Sequence, residues 1–72
     1  MKALFEIKMD LSKQIIFHGN LKSDYIKVLE FYKDLAESTK NEHYIEKVDF
    51  WQKLVDDECE CVNKLESAYN LL

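Results

Sequence analysis

From Tyr44 to Leu72 an apolar or aromatic residue returns every three or four positions: Tyr44, Val48, Trp51, Val55, Val62, Leu65, Tyr69 and Leu72. The one interruption on that line is Glu58. Alternating steps of four and three residues keep these side chains on one face of a helix, at the core positions of a coiled coil. Nothing in the sequence breaks such a helix, because there is no Pro and a single Gly, Gly19. A helix over residues 42–71 is expected, spanning roughly 45 Å at 1.5 Å per residue.

The start of this helix repeats an earlier stretch. Tyr25 to Ala36 reads YIKVLEFYKDLA, and Tyr44 to Val55 reads YIEKVDFWQKLV. Tyr25, Ile26, Phe31 and Leu35 match Tyr44, Ile45, Phe50 and Leu54, and Tyr32 stands where Trp51 stands. A second helix is therefore expected over about 22–39. Ser23 is a candidate N-cap, and Leu21, Tyr25, Val28, Tyr32 and Leu35 form its apolar face. The connection Ser38-Thr39-Lys40-Asn41 is short and polar, with Asn41 placed to cap the next helix. So short a link joins antiparallel neighbours.

Residues 3–18 admit two readings. As a helix, Leu4, Ile7, Leu11, Ile15 and His18 share a stripe, and Gly19 supplies a left-handed stop. As strands, Phe5, Ile7, Met9 and Leu11 alternate with Glu6, Lys8 and Asp10, and residues 10–13 could turn into a second strand at Ile15-Ile16-Phe17. The expected fold is all-α. It is a single small domain over residues 1–72, in which three helices are built on an antiparallel hairpin (22–39 and 42–71). Residues 3–18 pack across the hairpin, and the third helix is the longest. The alternative is α+β, with residues 3–18 as a β-hairpin on the helical one. Because helix 42–71 outruns helix 22–39, Val62, Leu65, Tyr69 and Leu72 need cover from residues 3–18 or from a second copy.

Charge narrows the function. The formal net charge is −4 and all ten basic residues are Lys. Residues 1–40 hold seven Lys against six acids (+1), and residues 41–72 hold three against eight (−5). Without Arg there is no bidentate phosphate or guanine recognition, and the acidic half repels nucleic acid. Glu42, Glu46, Asp49, Asp56 and Glu60 lie on the side of the helix opposite the apolar line, with Asp57 at the edge. The bland reading is a solvated face. The sharper one is a row of carboxylates that imitates a nucleic-acid backbone and engages a basic groove on a partner. Ile26 and Ile45 broaden the apolar surface by the same offset in each repeat. Together with Tyr44, Trp51, Glu58, Val62, Leu65 and Tyr69 they make a candidate partner or dimer surface. There Glu58 either reaches solvent at the hairpin's rim or anchors a partner's cation.

No catalytic, metal or cofactor site is expected. Cys59 and Cys61 are two apart, so a helix points them about 200° from each other, and packing beside the apolar face is their ordinary role. His18 and His43 are remote in sequence and have no zinc-type spacing or nucleophile beside them. No apolar run is long enough for a membrane span. Glu6, Lys8 and Asp10 interrupt the apolar start, so no secretion signal is expected, and two cysteines in such a chain suit a reducing cytoplasm. The composition, rich in Lys, Asn, Ile and Tyr, suits AT-rich coding sequence. The expectation is a non-enzymatic protein that binds and regulates or inhibits a larger protein with a basic surface. A phage or mobile-element inhibitor of a host nucleic-acid enzyme or defence nuclease is the most concrete form. The alternative is a structural homodimer or coiled-coil scaffold. No nucleic-acid or membrane partner is expected.

Overall fold

Core-face spacing in the first half of the chain runs straight through Gly19, although the two positions that flank it, His18 and Lys22, are polar. Leu11, Ile15, His18, Lys22, Tyr25, Leu29, Tyr32 and Ala36 recur at alternating steps of four and three, the same rhythm as Tyr44 to Tyr69. A computed structural model describes residues 3–72. They form two helices, α1 (Leu4–Thr39, 36 residues) and α2 (Glu42–Leu71, 30 residues). The two pack side by side as an antiparallel hairpin with extents of 55 × 17 × 14 Å.

The all-α class, the hairpin, the turn and the end of the first hairpin helix agree with the sequence reading. Three parts of it need correction. Residues 3–18 are neither a separate helix laid across the hairpin nor a β-hairpin, since they are the first half of α1. Gly19 keeps a negative φ and continues the helix. The last helix is not the longest, because α1 exceeds α2 by six residues. The cause lies in the far end of α2. Had α1 started near residue 22, Val62, Leu65 and Tyr69 would have faced water. A continuous α1 of about 54 Å covers the whole of α2, about 45 Å long, and one Gly costs a helix only about 1 kcal/mol. Burial along about five extra turns outweighs that.

Four contacts fix the register. Lys8 Nζ lies 5.2 Å from the Tyr69 ring centroid, and His18 Nδ1 lies 2.7 Å from Glu58 Oε2. Tyr25 meets Trp51 edge-on at 5.5 Å, and Tyr32 meets Tyr44 at 6.4 Å. The last two contacts join the sequence repeats crosswise, since Tyr25 corresponds to Tyr44 and Tyr32 to Trp51. Between the first two, the register sets Leu11 and Ile15 against Val62 and Leu65.

The turn is held by local bonds. Lys40 takes the left-handed conformation (φ 55°) and its N–H donates to Ala36 O at 2.8 Å. Asn41 caps α2, its side-chain oxygen accepting the His43 N–H at 2.9 Å, as its sequence position predicts. Thr39 Oγ1 donates to Leu35 O at 2.8 Å and accepts the Asn41 N–H at 3.3 Å. The start of α1 is weaker, for Ala3 offers no side-chain cap.

Two helices cannot enclose a core. Leu29 (4% exposed) and Val55 (8%) are the buried residues among those described. The rest of the α2 apolar line is half-buried as far as Tyr69, Leu72 stays exposed, and Phe5, Ile16, Phe17, Phe31 and Phe50 each remain more than half exposed.

Candidate functional site

The six carboxylates Glu42, Glu46, Asp49, Asp56, Asp57 and Glu60 all lie on the exposed side of α2. Two of them have partners on the same helix. Asp56 accepts a hydrogen bond from Gln52 Nε2 at 3.0 Å, and Glu60 pairs with Lys64 at 3.1 Å. Such exposed pairs contribute a few tenths of a kcal/mol. The row is a regular helix face presented to solvent.

The apolar candidates divide. Tyr44, Trp51, Val62, Leu65 and Tyr69 are half-buried against α1, so their main contacts lie within the hairpin. Ile45 is 46% exposed while Ile26 is half-buried. Residues 3–18 extend along the hairpin axis beyond them and do not cover them.

The more open apolar surface was not singled out by the core-face spacing. By helical period, Leu21, Val28 and Leu35 of α1 and Leu54 of α2 flank the core line on one side, with Phe17, Phe31 and Phe50 beyond them. We call this the front face. Phe17, Phe31 and Phe50 are 61%, 58% and 56% exposed. The register places these seven side chains in one band about 27 Å long, from 18 residues at 1.5 Å each. The signal in the sequence was the pairing of Phe31 with Phe50 within the repeat: two large apolar residues at matching positions off the core line. Ile26 and Ile45 lie on the opposite, back face, with Met9 and Ile16.

Between the helices stands a polar cluster that sequence spacing did not reveal. Glu58 interrupts the apolar line of α2, and the structure sets His18 of α1 against it, 40 residues away in sequence. The side chains are 22% and 18% exposed. The Phe17 ring stands edge-on to the imidazole at 5.2 Å. Cys61, one turn beyond Glu58 on α2, brings its Sγ into the group, and the His18, Glu58 and Cys61 donor atoms all lie within 4.8 Å of one another. Beside it, Asp57, Glu60, Cys61, Lys64 and Leu65 line an open groove of about 400 Å³. Cys59 and His43 lie outside the cluster; His43 is exposed near the start of α2 and stacks edge-on with Tyr44 at 5.5 Å.

No helix among the described residues is long and apolar enough to cross a membrane. Comparison with protein-family models, with curated proteins and with solved structures finds no match for this chain.

Proposed function

We propose that this chain is a non-enzymatic, cytoplasmic, protein-binding hairpin that regulates or inhibits a larger protein. It docks through the front face around Phe17, Phe31 and Phe50, while the acidic side of α2 steers it toward a partner with a basic surface. One observation carries the reading. The chain exposes 5574 Å², whereas a globular monomer of 8.6 kDa exposes about 4,700 Å² by the scaling of surface with mass. The excess of about 900 Å² is close to the ~800 Å² that one partner contributes to a standard protein interface. Large aromatic side chains at the centre of a face are the residues that commonly dominate binding energy. The carboxylate row of Glu42, Glu46, Asp49, Asp56, Asp57 and Glu60 supports the narrower proposal of a mobile-element inhibitor occupying a nucleic-acid enzyme's basic groove.

The test is affinity capture from host lysate with three baits: wild type, Phe31→Glu/Phe50→Glu, and Glu46→Lys/Asp49→Lys. Both pairs of positions are exposed, so circular dichroism is expected to show the same helix content in all three. A regulator's target is captured by wild type, drops at least tenfold with the aromatic variant, and weakens with the charge-reversed one. The same proteins recovered at equal yield by wild type and the aromatic variant would remove the reading.

A second reading is self-association into a bundle of two hairpins. The same excess surface favours it, because two identical front faces would cover each other. Sedimentation of the purified chain separates the two readings: a monomer at micromolar concentration leaves the first.

A further inference from the structure

We propose that His18, Glu58 and Cys61 form a binding site for a zinc-class divalent cation, with the fourth coordination position open to water. The chain has two His and two Cys, and folding brings one of each together with a half-buried carboxylate. Their donor atoms lie within 4.8 Å of one another. Around tetrahedral zinc, with bonds of about 2.0–2.3 Å, donor atoms stand roughly 3.3–3.8 Å apart. The His18–Glu58 contact of 2.7 Å must open by somewhat under 1 Å, and Cys61 must swing inward. Side-chain rotation suffices for both.

Four features favour a metal over a plain interhelical hydrogen bond. An imidazole, a thiolate and a carboxylate together suit zinc and cobalt better than magnesium or calcium, which take oxygen ligands. Glu58 and Cys61 are spaced i, i+3, the spacing by which helical bundles aim two ligands at one ion. The ligands come from both helices, so the ion would cross-link the hairpin at mid-length, one turn from the buried Val55. An approach exists as well: the groove beside Cys61 is bordered by Asp57 and by the paired Glu60 and Lys64, which leaves Asp57 as its uncompensated charge, of the sign that favours a cation. Binding releases the Cys61 thiol proton and the proton held between His18 Nδ1 and Glu58 Oε2 to solvent, and Nδ1 takes the metal through the freed lone pair. The site stands whether or not the front face binds a partner.

The experiment is titration of the reduced, full-length, metal-free chain with cobalt(II), which reports its ligands by absorption, followed by displacement with zinc. Expected are a thiolate-to-cobalt charge-transfer band and strong tetrahedral bands that saturate at one metal per chain and vanish on adding zinc. Cys61→Ser removes the charge-transfer band and Cys59→Ser retains it. His18→Ala and Glu58→Ala each lower affinity at least tenfold. In parallel, zinc raises the thermal midpoint of wild type and of Cys59→Ser but not of Cys61→Ser. The absence of any thiolate band with wild type overturns the site, as does a band that survives Cys61→Ser or is lost with Cys59→Ser.

Discussion

Lys40 and Asn41 make the turn of this hairpin, and each has a separable cost. Lys40 sits in the left-handed region with φ 55°, a conformation that costs a residue with a Cβ about 1 kcal/mol. Lys40→Gly is expected to raise stability by a few tenths to 1 kcal/mol, read as a shift in the urea midpoint at unchanged slope. Asn41→Ala removes the bond to the His43 N–H and is expected to lower stability by about 1 kcal/mol in the same assay. Gly19 is the third such position. It lies in mid-helix with nothing within 4 Å of where a Cβ would stand. Gly19→Ala is therefore expected to stabilise by about 0.5–1 kcal/mol, and an unchanged or lower midpoint would contradict a continuous α1. Asn41 was readable in the sequence because a cap is a local device, needing only an acceptor side chain just before a run of helix formers. Gly19 misled for the same reason. Viewed locally it is a stop, with Ser23 and Asp24 beyond it as a fresh start. What overrides it is the uncovered far end of α2, which no local window contains.

The helices differ in how much of them could be read. The core line of α2, Tyr44 through Tyr69, is the line that faces α1, since a 30-residue helix without breakers shows its period many times over. In α1 the period is blurred by Lys8, Ser12 and Lys22 near the line, and the more regular course through Leu29 was visible only once Gly19 was passed over. Leu29 is the most buried residue described. Leu29→Ala is expected to cost about 2–3 kcal/mol, at the low end of core truncations because a two-helix core collapses readily around a void. Its counterpart in the repeat, Val48, is only half-buried, and Val48→Ala should cost visibly less. Equal losses in urea denaturation would mean that the hairpin is not paired in this register. Glu58 shows the limit of single-element reasoning. Its spacing placed it on the core line, but its partner, His18, sits on the other helix, and the choice among solvent, a partner's cation and a residue of the same chain required the register.

At the scale of the molecule, a rod 55 Å long with two buried side chains among the described residues is short of core. Domains of this size are marginal even when globular. If two copies cover each other's front faces, the thermal midpoint rises with protein concentration, and Phe31→Glu/Phe50→Glu abolishes that dependence while lowering the midpoint reached at high concentration. A midpoint independent of concentration over two decades removes the second reading. The front face has a further property, which follows from the crosswise meeting of the repeats. Tyr25 with Trp51 and Tyr32 with Tyr44 join equivalent positions of the repeat, one pair edge-on at 5.5 Å and the other tilted at 6.4 Å, so a pseudo-two-fold axis passes between the helices near Val28 and Lys47. It emerges through the front face and exchanges Phe31 with Phe50 and Leu35 with Leu54. The centre of that face reads nearly alike from either end. A docking helix would meet almost the same aromatic pair and the same leucines whether it ran up or down the hairpin. Polarity of docking must then come from features that lack a mate across the axis, chiefly Phe17 and the Cys61 groove at one end of the band.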